Sequence, residues 1–168
     1  MSNFKEITAN EIDENIFKLI GSDWMLVTAE KEGKVNTMTA SWGGFGVMWG
    51  KNVSYIVIRP QRFTKEFIDS NDSFTLSFFD EKYRKELAYL GSVSGRDEDK
   101  ITKSGLKVTE IEGLPAFKDA KLVIACKKLF AQEFTQDSFL DKEALEKWYP
   151  NNDLHTLYIS EITNVWKK

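Results

Sequence analysis

The feature that most constrains this chain is a succession of short β-forming runs broken by turns, with no sustained helical periodicity. Residues 24–29, Trp-Met-Leu-Val-Thr-Ala, form one such run. Lys31-Glu-Gly-Lys supplies a turn, and residues 35–42 return as a second run, which is the pattern of a hairpin. Residues 53–58, 73–79, 106–111, 120–134 and 154–165 continue in the same style, and Leu122, Ile124 and Cys126 share one face of the longest run. Helices fall singly between them. Thr8-Ala-Asn-Glu11 fits a capping box, and Ile12, Ile16, Leu19 and Ile20 follow at helical spacing before Gly21. A short helix is expected over 64–70. Asp80 is placed to cap another that carries Tyr83, Leu87 and Leu90 and ends at Gly91, and 141–148 reads as a weak helix before Pro150. Strands without regular strand–helix alternation predict a mostly β fold, an antiparallel barrel or sandwich with peripheral helices, and argue against a doubly wound nucleotide-binding sheet. No repeat, low-complexity tract or linker interrupts the chain, so 1–168 reads as a single domain.

Composition removes several kinds of chemistry. One cysteine excludes an intrachain disulfide and any clustered-thiolate metal site, and one histidine leaves no pair of imidazole ligands, so no metal is expected. The 23 Lys+Arg against 26 Asp+Glu give a net charge of −3, which makes nucleic acid a poor partner. The amino terminus lacks an apolar signal core and no uncharged apolar stretch approaches membrane-spanning length, so a cytoplasmic, unanchored protein is expected. Gly43-Gly-Phe-Gly46 has neither the spacing of the dinucleotide fingerprint nor the following Lys-Ser/Thr of a P-loop. A Ser-His-Asp or Cys-His pair would have to use His155, and nothing near Cys126 or any serine resembles a nucleophile elbow.

Three clusters and one histidine remain. Asn36-Thr-Met-Thr-Ala-Ser-Trp-Gly-Gly-Phe-Gly46 gathers small and hydroxyl side chains at a strand end, where exposed backbone amides let a flat ligand come close. The same residues also suit a plain strand and flexible loop. Arg59-Pro-Gln-Arg-Phe-Thr64 joins a strand end to a helix start, and two guanidiniums with a hydroxyl suit a phosphate, although surface arginines and a capping threonine would look alike. Gly91-Ser-Val-Ser-Gly-Arg-Asp-Glu-Asp-Lys100 reads as a solvated polar loop or as a ligand rim. His155 suits a structural role, Cys126 a buried one, and Trp24, Met25, Met48 and Trp49 the core.

In this order the clusters, with His155-Thr-Leu-Tyr-Ile-Ser-Glu-Ile162, resemble the flavin reductase-like family of FMN-binding split-barrel proteins, which includes flavoredoxin. The likeness runs over about positions 4 to 165. It implies a six-stranded Greek-key antiparallel barrel, a homodimer with FMN near the subunit interface, and flavin redox chemistry. By position it implies that Met38, Thr39, Ala40, Ser41 and Trp42 flank the isoalloxazine ring, with backbone near Thr39 and Ser41 reading its pyrimidine edge. Asn36, Phe63 and Ser94 fall inside the same motifs. Arg59, Arg62 and Thr64 would hold the ribityl phosphate, Gly95, Arg96 and Lys100 would close over the site, and His155 would stand on the nicotinamide or substrate side.

The function implied is an NAD(P)H-dependent flavin reductase, an enzyme passing a hydride from NADH or NADPH to flavin, with no protein base needed for that step. A cation such as Lys100 or Arg96 near the pyrimidine oxygen would favour reduced anionic flavin. Two other readings stand beside it. One is a flavoredoxin-like electron carrier holding FMN tightly and serving a redox partner protein; the other is a non-redox β-barrel binding module. Of the 12 Phe, 5 Trp and 5 Tyr, Trp24, Phe74, Phe78 and Phe130 are assigned to the core, and Trp42 and Phe63 to the ligand.

Overall fold

A computed structural model describes residues 3–168, with ten strands and five α-helices. In chain order they are β1 (Lys5–Ile7), α1 (Ile16–Gly21), β2 (Met25–Lys31), β3 (Lys34–Ala40), β4 (Gly43–Met48) and β5 (Lys51–Ile58). Then come α2 (Thr64–Asp69), β6 (Ser73–Phe78), α3 (Arg84–Ser92), α4 (Lys100–Ser104), β7 (Val108–Ile111) and β8 (Leu114–Phe117). β9 (Leu122–Glu133), α5 (Lys142–Trp148) and β10 (Thr156–Lys167) complete the chain. The main sheet has the order β3-β2-β6-β9-β10-β5-β4, with β1 added along β10, and every pair is antiparallel. It is the mostly β, antiparallel barrel that the strand grammar predicts.

Period-2 alternation divides the strands between two apolar layers. Met25, Val27 and Ala29 of β2, Phe74, Leu76 and Phe78 of β6, and Leu122, Ile124 and Cys126 of β9 form one, into which α1 inserts Leu19 and Ile20 and α2 inserts Phe67 and Ile68. The intervening residues Leu26, Val123 and Ala125 turn the other way, under Leu87 and Leu90 of α3 and Ala116 and Phe117 of β8. The central strands are therefore buried on both faces, which is why β2 opens with five consecutive buried residues. Some of the hydroxyls this arrangement traps find partners: Thr28 and Thr37 share a bond of 2.8 Å, and Thr37 also donates to the Val27 carbonyl, whereas Ser77 and Ser160 have none.

Four local expectations are corrected. The capping box forms, with Glu11 accepting from the Thr8 backbone at 2.7 Å, but it closes a single 3-10 turn. Ile12 is extended, and α1 restarts under its own cap, Asn15, which accepts from the Lys18 amide. The glycine-rich 43–48 segment is a strand paired with β5 rather than a loop. Its Gly43 and Gly44 are needed because a Cβ at either would collide with Tyr55. Phe130, Met48 and Trp49 are 40%, 41% and 59% exposed rather than core, since β9 and the β4–β5 turn run beyond the barrel wall. Trp24 is half-buried at positive φ, with the Arg84 guanidinium stacked 3.2 Å above its ring. No helix among the described residues is long and apolar enough to cross a membrane.

Candidate functional site

The end of β3 is the floor of a groove. Asn36 Nδ2 donates to Thr64 Oγ1 at 2.9 Å, both side chains being buried, which ties the start of α2 to the strand. Thr39 Oγ1 donates to the Leu87 carbonyl at 2.6 Å and ties α3 to the same strand. These two bonds fasten the start of α2 and the middle of α3 to β3 at positions flanking Met38. The groove has two chambers, and Met38 and Arg62 line both.

The first chamber, a cleft of about 190 Å³, is lined by Met38, Thr39, Ala40, Ser41 and Trp42 along one wall and by Arg59, Trp148 and His155 along the other. Trp42 meets Trp148 edge-on at 5.0 Å and lies 5.2 Å from the His155 ring. His155 shares a 2.7 Å bond between Nδ1 and the Tyr149 hydroxyl. Burial first, and the Arg59 charge second, bring its imidazole down to about 4 against an upward pull from Asp153. It is therefore neutral near pH 7. The cleft is open to solvent, mostly apolar and walled by aromatic rings, which suits a flat ring system.

The second chamber, about 180 Å³, lies between the start of α2 and the loop after α3, with Arg62, Phe63, Thr64, Ser94, Gly95 and Lys100 around it. Arg62 Nη1 donates to the Gly91 carbonyl at 3.0 Å, whereas its Nη2 is buried with no partner. Lys100 is 3% exposed, and its Nζ donates to the carbonyls of Leu90 and Val93 at 2.8 and 3.0 Å. Burial, reinforced by Arg62, brings its ammonium down to about 8, and burial lowers Arg62 as well. Among the described residues neither cation forms an ion pair. A buried lysine beside a half-buried arginine whose Nη2 is buried and unpartnered, with no carboxylate lining the chamber, favours an anion there.

Gly95 sits where a Cβ would collide with Asn36 Oδ1, so only glycine lets this loop reach the strand. Arg96 then bridges the mouth: its Nη1 donates to the Gln61 carbonyl at 3.1 Å, its Nη2 pairs with Glu66, and its guanidinium lies 4.6 Å over the Phe63 ring. Ser94 Oγ accepts from the Arg96 amide.

The structure thus brings the three sequence clusters and His155 into one groove, but it separates the two arginines. Arg59 faces the ring cleft, where Nη1 donates to Asp153 Oδ2 at 2.6 Å and Nη2 to the Trp148 carbonyl at 2.9 Å, with the guanidinium 5.0 Å over Tyr149. Lys100 lies on the anion side, away from the ring cleft. Trp148, Tyr149 and Asp153 were missed by sequence reasoning. Their one signal is a Trp-Tyr-Pro end on a helix too polar to be core. Cys126 is fully buried, with a thiol pushed up to about 12, and takes no part.

Fold and groove together give an antiparallel β-barrel with an apolar, aromatic-walled cleft that adjoins a chamber lined by Arg62 and Lys100. The chain matches the flavin reductase like domain over residues 17–168 and belongs to that family. An uncharacterized protein of Aeropyrum pernix is 28% identical over 103 residues, 60% of this chain and 39% of that protein, so the chain spans well under half of that relative. Among solved structures, an FMN-binding domain of a flavin reductases-like enzyme from Shewanella baltica superposes with a TM-score of 0.72 at 19% identity, over 99% of this chain and 78% of that one. Flavoredoxin from Methanosarcina acetivorans does so with a TM-score of 0.69 at 22% identity, over 98% and 75%.

Proposed function

We propose that the chain is an FMN-binding flavoprotein oxidoreductase, an NAD(P)H-dependent flavin reductase. The observation that carries this reading is the unpartnered Arg62 Nη2 beside Lys100, in a chamber that opens directly onto a ring cleft. Riboflavin 5′-phosphate has the matching layout: a tricyclic ring, a polar linker and a terminal phosphate. Membership of the flavin reductase like family supports the same assignment.

When bound, FMN supplies the redox chemistry by accepting a hydride from a nicotinamide and passing electrons on. The chain's own residues bind, orient and exclude. Arg62 donates Nη2 to the phosphate and Lys100 adds charge behind it, while Arg96 closes the mouth. Met38 to Ser41 present strand backbone to the ring, and Trp42 with Trp148 keeps water from its exposed side. Neutral His155 contributes an uncharged hydrogen-bonding nitrogen on the substrate side. Lys100 serves the phosphate rather than the pyrimidine oxygen. A homodimer is part of the proposal, supported by Val47, Trp49, Tyr55 and Phe130, exposed apolar side chains carried by β4, β5, β9 and the β4–β5 turn. Sedimentation of a wild-type monomer at high micromolar concentration would remove that part.

The spectrum of the purified chain after incubation with FMN and desalting tests the cofactor. A retained flavin band is expected, and its absence, with no quenching of FMN fluorescence, defeats the reading. Aerobic oxidation of NADPH or NADH with excess FMN then tests the activity, for which many turnovers per chain are expected. The edge-on pair of Trp42 and Trp148 at the ring cleft favours a second reading, a flavoredoxin-like carrier with tightly held FMN. Retained flavin without nicotinamide turnover would support it instead.

A further inference from the structure

The connection from β9 to β10 is not a tight hairpin. Residues 134–155 leave the barrel, form α5 and return, and this excursion folds largely on itself. Phe139 packs edge-on against Phe134 and Tyr149 at 5.9 and 5.5 Å, and Gln136 donates to Asn152 at 2.7 Å. No residue of α5 is buried, and Leu140 is 98% exposed.

Its ties to the barrel gather at one end. Arg59 holds the Trp148 carbonyl and the Asp153 carboxylate, Gln61 donates to the same carboxylate at 2.8 Å, and Trp148 rests edge-on against Trp42. The element fastened there carries Trp148, one wall of the ring cleft. A flap whose helix buries no residue, fastened at one end by Arg59, Gln61 and the Trp148–Trp42 contact over a ligand cleft, has the construction of a gate.

We propose that residues 134–155 form a flap over the ring cleft, with Trp148 as its seal and Arg59 as the positioning residue that clasps it shut. The proposal rests on the flavin reading for its ligand and goes beyond it in two respects. It removes Arg59 from phosphate binding, and it assigns the rate of ring entry and release to an element outside the phosphate chamber. Opening breaks the Arg59 bonds to Trp148 and Asp153 and draws Trp148 away from Trp42, while Arg62 and Lys100 stay in place.

Flavin release followed by stopped-flow fluorescence, in wild type, Arg59→Ala, Trp148→Ala and Trp148→Phe, tests this with FMN and with riboflavin. Arg59→Ala and Trp148→Ala should speed release about tenfold, the scale of one lost charge-assisted hydrogen bond or ring contact, and by the same factor for both flavins. Trp148→Phe should restore most of the wild-type rate. Hydrogen exchange on the flavin-free chain gives a second reading: amides of α5 should exchange faster in Arg59→Ala, while those of β6 and β9 stay protected and report an intact barrel. A loss confined to FMN would make Arg59 a phosphate ligand and overturn the clasp, as would unchanged α5 exchange. If wild type binds neither flavin, the functional reading falls, and the exchange experiment still decides whether Arg59 holds the flap.

Discussion

Replacing Arg62 by alanine separates the phosphate from the ring. In the flavin-free chain its Nη1 is spent on the Gly91 carbonyl, and Nη2 is the one buried donor without a partner in the chamber. A phosphate satisfies that donor with a charge-assisted bond, a class that contributes about 1.5–3 kcal/mol. At about 1.4 kcal/mol per tenfold, Arg62→Ala should weaken FMN by roughly 10- to 150-fold. Riboflavin has no phosphate and should lose less than about threefold, the remainder reflecting movement of the loop at Gly91. The flavin-free chain should change little in stability, because the variant removes a buried unpaired donor and leaves one carbonyl unpaired in exchange. The assay is equilibrium titration by flavin fluorescence at pH 7 and low salt, with both ligands on each protein. Arg62→Lys keeps charge without the fork and should fall between the two. Equal losses for FMN and riboflavin, or none for either, would refute the argument.

Three further outcomes follow from the same geometry. Lys100 titrates at about 8 in the flavin-free chain, and a phosphate beside it favours the charged form, so binding takes up a proton near that pH. FMN affinity should fall as pH rises from 7 to 9.5 while riboflavin stays flat, and an unchanged slope in Lys100→Met would sink the assignment. His155 titrates at about 4 when folded and near 6.5 when unfolded, so its contribution is complete above 6.5 and is lost as pH falls toward 4. That amounts to about 3 kcal/mol. Urea unfolding at pH 7 and pH 4 should show the wild type losing that much more than His155→Gln, and parallel losses would contradict it. Gly95→Ala forces a methyl group into Asn36, which is held by Thr64, and should cost about 1–3 kcal/mol as overpacking does. Calorimetry should therefore show a Tm several degrees lower; an unchanged Tm would mean that the loop yields freely.

Much of the barrel was legible because strand alternation is a local property. Phe74 and Phe78 could be placed in the core from their neighbours alone, since residues two apart on a strand face the same way. Phe130 could not, because nothing within a few positions of it shows that β9 continues past the barrel wall. Gly43 and Gly44 read as loop residues for a related reason. Glycine weakens a strand locally, and the Tyr55 backbone and ring that require it there belong to the next strand.

The chain's residues determined by themselves an antiparallel β class, an absence of thiol and imidazole pairs for redox or metal work, and the stretches from which the groove is assembled. Tertiary structure alone decided which arginine is already paired and which keeps a free donor. Arg59 and Arg62 stand three positions apart in one motif and look equivalent in sequence. Asp153, ninety-four positions beyond Arg59, occupies its guanidinium, whereas Arg62 keeps a buried nitrogen free. Whether a donor is available depends on what folding brings beside it, and for these two arginines that partner comes from the other end of the chain.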